Sequence, residues 1–399
     1  MDRSDVGTDF RTSLSETGQL CRDSASRELF ARVTGRFFRA ETRRRARTYV
    51  QGLLTPLETK NGRTLAMASG ERRPDGMQRL LTEATWDVDG VRDDVRTSVS
   101  ERFANEEGIF VIGETTFVKN GQHSAGVERQ CIGRSEVPEN CQVGVFLAYA
   151  TGDGCVLVDR ELYLPRSWTD NPRRRSAAAV PASVGYASPS ELARVMLARA
   201  VDAGVPGAWV SVDLTGGADR DLRDWLQRRH LGYVAAMPID QPIPHGTQQV
   251  SAADLVAGAP NSVWKRWPGR AWGRSGLWAV ASPRTPLGTT PKWASWLLAG
   301  REPEALPGEE LTCHHCWGPA GTTDGELVEV ASAQLDLADR FRLAKASVGL
   351  GDYQVRRYDA WYRHITLAML ADAHLALSAA RDSAAPTGSA VPGDLRWHT

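Results

Sequence analysis

No stretch of this 399-residue chain approaches the roughly 18 consecutive apolar residues of a membrane span. The N-terminus has no apolar signal-peptide core, so the expected address is cytoplasmic. Neither sign of charge is in excess, with 48 Lys+Arg against 48 Asp+Glu. That balance excludes a global pull toward nucleic acid and leaves only local basic patches to bind it. Cysteine is sparse: Cys21, Cys131, Cys141, Cys155, Cys313 and Cys316 are too few for a disulfide-stapled scaffold and suit free thiols in a reducing compartment. No phosphate-cradling glycine loop and no Ser or Cys nucleophile motif stands out. What is plentiful is arginine, whose planar fork suits phosphate and guanine.

The chain divides by pattern. Residues 1–26 are polar and Ser/Thr-rich, a loose arm, and 381–399 are rich in Ala, Ser, Gly and Pro, a fraying tail. Over 27–103, apolar residues recur at helical spacing, as at Leu53, Leu54, Leu57 and at Met77, Leu80, Leu81. From 104 the period shortens. Strands are expected at 108–113, 142–150 and 154–164, the last two joined by Thr151-Gly152-Asp153-Gly154, a hairpin signal. A helix at 189–203, a strand at 207–213, a helix at 218–230 and a strand at 231–236 follow. Three antiparallel strands and then alternating helix and strand predict an α/β (α+β) fold, an RNase H-like mixed sheet with helices on both faces. Residues 238–325, rich in Trp, Gly and Pro, predict a β-rich insertion; helices return at 326–347 and 358–380. The expected organisation is a helical DNA-binding region (27–103), a core in two parts (104–237 and 326–380) and the insertion between them.

Two strand ends carry the chemistry. Ile109-Phe110-Val111-Ile112 runs into Gly113, and Trp209-Val210-Ser211-Val212 runs into Asp213. In an RNase H-like nuclease both positions hold acids, joined by a third from a helix across the sheet, and together they bind two metal ions. Here the first is empty. Asp213 alone is a weak metal ligand, because hard divalent cations need several oxygens; as a strand-end Asp it could equally cap the following turn.

The chain resembles the insertion-sequence transposases of the DDE superfamily, in the branch common in actinobacteria. The stretches that carry the likeness are Trp86-Asp87-Val88-Asp89-Gly90-Val91-Arg92-Asp93-Asp94-Val95, Glu114-Thr115 with Lys119 and Gly121, and Asn140 through Phe146. Leu162-Tyr163-Leu164-Pro165 with Trp168, Tyr353 through Arg357, and Trp361-Tyr362-Arg363-His364 continue it. The resemblance places the first acid at Gly113, the second at Asp213 and the third at Ala338, so two of three are vacated. Leu214 and Gly216-Gly217 also depart from its pattern, whereas Lys119 and Lys345 match it and count as DNA-binding candidates. Glu114 and Asp339, each one residue along, are candidate substitutes. Glu114 would need a bulge to change faces, and Asp339 would need a turn wound by about 100°. The resemblance implies Mg or Mn if activity survives, and otherwise no cofactor.

Other motifs stay open. Residues 62–83 fit a helix-turn-helix around Gly70 that presents Arg72, Arg73, Gln78 and Arg79 to DNA, or a plain helical hairpin. Arg32, Arg36, Arg39, Arg43 and Arg47 would form one basic stripe on a continuous helix, unless Gly35 interrupts it; a solvated charged face is the alternative. Cys313-His314-His315-Cys316 sits in strand-like sequence, where alternation splits the four residues between two faces and argues against zinc. His364 reads as a packing histidine. The function expected is DNA binding without strand cleavage or transfer. The alternatives are an active transposase using Glu114, Asp213 and Asp339, and a protein repurposed for an unrelated reaction in the old cleft. Partners would be double-stranded DNA, near the nucleoid, with a homodimer left open.

Overall fold

The computed structural model describes residues 24–103, 107–131, 137–214, 217–245, 248–260, 262, 264–267, 276–279, 292–301 and 311–384. Most of the expected N-terminal arm and C-terminal tail, together with Cys21 and Gly216, lies outside the described residues. Among the described residues the N-terminal region forms five helices: α1 (Ser24–Thr34), α2 (Ala40–Leu54), α3 (Gly62–Ala68), α4 (Asp75–Thr82) and α5 (Val88–Phe103). Gly35 lies in the turn between α1 and α2, where Arg36 and Phe37 donate backbone bonds to Val33 and Thr34. Asn61 starts α3 through a reciprocal capping box with Thr64. Tyr49, Leu53, Leu65, Met77 and Leu80 are buried where these helices meet.

The core sheet is built from β1 (Ile109–Val118), β2 (Glu128–Gln130), β3 (Glu139–Thr151), β4 (Gly154–Leu162), β5 (Trp209–Asp213) and β6 (Gly232–Met237). β3 pairs antiparallel with β1 and with β4, while β5 runs parallel to β1 and β6 parallel to β5. The order β4-β3-β1-β5-β6 is RNase H-like. Helix α6 (Arg166–Thr169), α7 (Pro172–Ala177) and α8 (Pro189–Asp202) lead from β4 to β5, and α9 (Arg220–Arg228) leads on to β6. A Pro at the first turn and a Ser188–Glu191 capping box explain where α8 begins.

The segment expected to be an insertion continues the same sheet. After a β7 (Pro242–His245) and β8 (Gln248–Ser251) hairpin and α10 (Ala252–Ala257) come β9 (Trp264–Trp267), β10 (Gly276–Ala279), β11 (Trp293–Arg301) and β12 (Thr312–Pro319). β12 pairs with β6, and β11, β10 and β9 follow outward, giving a ten-stranded sheet. Trp209 explains a small-residue requirement here: a Cβ on Gly232 would lie 2.7 Å from its ring, and one on Gly318 would meet the same ring. Two long helices close the fold, α11 (Asp324–Val348) across β1 and β5, and α12 (Tyr358–Ala384) against β4, α2 and α5.

Buried ion pairs fasten the N-terminal helices to this core. Arg92 on α5 lies 3.3 Å from the Asp159 carboxylate of β4, Arg199 of α8 lies 2.9 Å from the same group, and Arg160 reaches Asp89 at 2.9 Å. Asp159 and Arg160 are fully buried. The acidic Trp86–Val95 stretch therefore docks on the core: loss of Asp89, itself largely exposed, would leave the buried Arg160 guanidinium without that carboxylate. Lys60, almost fully buried, donates from Nζ to the carbonyls of Leu53 (2.6 Å) and Ser347, at the last turns of α2 and α11.

Candidate functional site

Gly113 of β1 and Asp213 of β5 are register partners on adjacent parallel strands. Strand alternation turns Gly113, Thr115 and Phe117 toward the closing helices, and the Phe117 ring meets Tyr353 and Trp361 there. Helix α11 crosses directly above. A Cβ built on Gly113 would lie 2.7 Å from Leu337 Cδ2 and 3.6 Å from Gln334 Oε1. Gln334 Nε2 donates to the Ile112 carbonyl and to Ser211 Oγ, both at 3.1 Å, so one amide ties α11 to β1 and β5. Leu337 is buried, whereas Asp213 and Ala338 are exposed. The cleft thus offers a glycine, an aspartate, an amide and a leucine.

A pair of divalent cations needs a shared set of carboxylates. This donor set does not fit them. Among these four described residues Asp213 alone supplies an anionic oxygen, and Leu337 fills the space beside Gly113. Among the described residues no group of three or more His, Cys, Asp or Glu could hold a metal ion.

The two shifted acids lie elsewhere. Glu114 follows Gly113 on a regular stretch of β1, opposite Val145, and so faces the other side of the sheet. There its charge adds to burial and to a Tyr186 hydrogen bond in raising the Tyr163 phenol. Asp339 pairs with Arg342 and lines a groove of about 430 Å³ with Asp153, Asp336, Arg340 and Asp372, facing the β3–β4 turn and α12. The structure brings Gly113 and Asp213 together and does not bring Glu114 or Asp339 to them.

Lys119 and Lys345 are turned inward. Lys119 Nζ stands 3.5 Å over the Tyr353 ring and donates to its carbonyl, and burial lowers its ammonium to about 8. Lys345 donates to the Thr116 carbonyl at 3.0 Å, and burial lowers it too. His364 is fully buried between Tyr49 OH (2.9 Å) and the Gly349 carbonyl (3.1 Å); burial lowers it to about 4 and holds it neutral, so it is a packing residue.

The basic stripe is split by the α1–α2 turn. Arg32 bonds Glu101 of α5, and Arg36 bonds both oxygens of Asp94 at 2.8 Å with Asp87 at 3.2 Å. Those two arginines belong to the helix–helix interface, Arg32 from the last turn of α1 and Arg36 from the turn that follows Gly35. Arg39, Arg43 and Arg47 are exposed. Arg43 and Arg47, with Arg44, rim a hollow of about 400 Å³ floored by Phe30, Val33 and Phe37. Helices α3 and α4 pack on each other across residues 69–74, with Gly70 at φ +79° in the bend. Arg72, Arg73, Gln78 and Arg79 lie exposed on that unit. Arg79 has a loose, exposed partner in Glu83 at 3.9 Å.

Cys313-His314-His315-Cys316 forms part of β12, paired on both sides, and is split between faces as alternation requires. Cys313 belongs to the small outer core and Cys316 to the main one, so the four cannot converge on an ion. No disulfide joins the five described cysteines. No sequence motif marks Ser211, Leu337 or Lys60 as part of the site or its frame. Gln334 does carry a signal, since it sits one helical turn before Ala338.

No helix among the described residues is long and apolar enough to cross a membrane. A search among curated proteins returns no match. A family model described as DDE superfamily endonuclease matches residues 29–266, which is more than half of the chain and takes in β1 and β5 but not α11. With an RNase H-like sheet that sets Gly113 and Asp213 side by side, that match identifies the chain as a member of the DDE superfamily endonucleases.

Proposed function

We propose that this chain is a transposase-derived protein that binds double-stranded DNA and neither cleaves nor joins it. The observation that carries the reading is the packing at Gly113: the place of a first acid is taken by Leu337, and the helix above presents the Gln334 amide. Without three converging acids there is nothing to hold the metal pair that activates one oxygen and stabilises the other. The shifted-acid alternative needs Glu114 to cross the sheet and Asp339 to leave Arg342. DNA binding is assigned to the exposed arginines of α2 to α4, namely Arg39, Arg43, Arg47, Arg72, Arg73 and Arg79, with Gln78 as a base-edge candidate. Lys119 and Lys345, bonded to backbone carbonyls, are assigned to the fold instead.

The test is a nicking and strand-transfer assay on supercoiled plasmid with Mg²⁺ or Mn²⁺, run beside a gel-shift titration. The expected result is retardation without cutting. Metal-dependent cutting that disappears in Asp213→Ala would refute the inactivity; absence of retardation at low salt would refute the DNA binding.

A further inference from the structure

The donor set of the cleft disagrees with its family, and the disagreement has a particular shape. We infer that residue 334, rather than Ala338, is the α11 position that completes this cleft, and that the Gln334 amide does there the mechanical work of a bound cation. The inference rests on the reading that the native cleft holds no metal pair.

Three observations converge on residue 334. Its side chain reaches the sheet at the level of Gly113, with Oε1 3.6 Å from where an acid's Cβ would start. Its Nε2 sits between two oxygens, the Ile112 carbonyl and Ser211 Oγ, at 3.1 Å each. Those oxygens belong to β1 and β5, the two strands that carry Gly113 and Asp213. A cation would draw together the same elements through oxygen ligands; a neutral amide does so by donating hydrogens and needs no ion. Glutamine and glutamate share one shape and differ only in NH₂ against O. A glutamate at 334 would therefore set a carboxylate against the Ile112 carbonyl, a repulsive approach that only a proton or a cation relieves. Ala338 lies exposed one turn further along.

The cleft is thus a latent site for a hard divalent cation, closed by two features: the amide at 334 and Leu337 over Gly113. The test compares two triple variants in Mn²⁺ titrations by calorimetry and by electron paramagnetic resonance. One carries Gly113→Asp, Leu337→Ala and Gln334→Glu; the other carries Gly113→Asp, Leu337→Ala and Ala338→Glu. The first should bind Mn²⁺ at least about tenfold more tightly than the second, since only it adds a converging carboxylate oxygen. Equal affinities, or the reverse order, with the native protein silent, would overturn this inference alone. Tight Mn²⁺ binding by the native protein would instead overturn the proposed function. Should the triple variants not fold, single variants decide. Gln334→Glu should lose thermal stability as pH rises from 5 to 8 and regain it with Mn²⁺, whereas Ala338→Glu should show neither effect. Matching pH profiles for the two single variants would refute the assignment of residue 334.

Discussion

Replacing Gly113 by aspartate places a carboxylate on β1, and the structure sets what that costs. The new Cβ would meet Leu337 Cδ2 at 2.7 Å, closer than side chains tolerate. That atom is the far end of a flexible side chain, so the steric part alone is about 1 kcal/mol, the low end of the overpacking range. Gly113→Ala, which carries only this cost and recovers strand entropy, should be nearly neutral. The carboxylate adds a second cost. It would lie buried under Leu337 and beside Asp213, a like charge on the adjacent strand. Desolvation and repulsion raise its folded-state pKa, and together with the steric part the loss at neutral pH is about 2–4 kcal/mol. The sign follows from the raised value. A carboxyl whose folded pKa exceeds its unfolded one costs nothing extra when protonated, so the deficit should shrink as pH falls toward about 4.5 and grow as pH rises through the raised pKa. Urea unfolding of native protein, Gly113→Ala and Gly113→Asp at pH 5 and 7.5 reads all of this. Equal stability of Gly113→Asp and native protein at pH 7.5 would show that the slot is open, and that Leu337 does not occupy the place of the first acid.

Three further outcomes are expected. Lys60→Met should cost about 2–3 kcal/mol in urea melts, because it leaves the Leu53 and Ser347 carbonyls without their donor at two helix ends; a loss under about 0.5 kcal/mol, the ordinary scatter of a surface change, would refute the clamp. His364 is lowered to about 4 against an ordinary 6.5, so its contribution is complete above pH 6.5 and drains away as pH falls toward 4, by up to about 3 kcal/mol at 1.36 per unit. A His364→Gln variant should flatten that acid limb, and an unchanged limb would count against the assignment. Replacing Arg39, Arg43 and Arg47 together by alanine should reduce the salt dependence of DNA binding, by roughly 0.9 in the log–log slope for each phosphate left unneutralised, whereas Arg36→Ala should lower thermal stability and leave the slope unchanged. An unchanged slope in the triple variant would remove α2 from the DNA-binding surface.

The elements are legible in the sequence where periodicity is strong. Strand 108–113, the 151–154 hairpin and the helix expected from 189 all begin close to their expected places, because alternation and capping chemistry act locally. The segment 238–325 is harder. Its strands are foreseeable, but nothing local says that β12 returns to pair with β6; that pairing joins residues about 80 positions apart and is fixed by burial of Cys316 and Trp317 against the core. The arginine stripe fails for a related reason. Spacing alone cannot tell an arginine facing solvent from one facing Asp94, and the break at Gly35 decides it.

The site shows the same divide more sharply. That β1 and β5 align Gly113 with Asp213 is only half legible: Asp213 does end β5, but β1 runs on past the expected end at 113 to Val118, so Gly113 lies mid-strand and its place is fixed by the parallel register. Which helical residue meets them depends on the rotation of α11 about its axis. One step along a helix turns a side chain by about 100°, so residue 338 and residue 334, one turn apart, share a direction but not a height above the sheet. Rotation and height are set by packing: Leu327, Ala331, Ala344 and Val348 are buried, and they carry Gln334 and Leu337 to the strands while Ala338 stays exposed and Asp339 turns to Arg342. An acid moved by one position therefore does not stay near its site, on a strand or on a helix. Glu114 and Asp339 accordingly do not bring a carboxylate to Gly113, while the Gln334 amide ties α11 to β1 and β5 there.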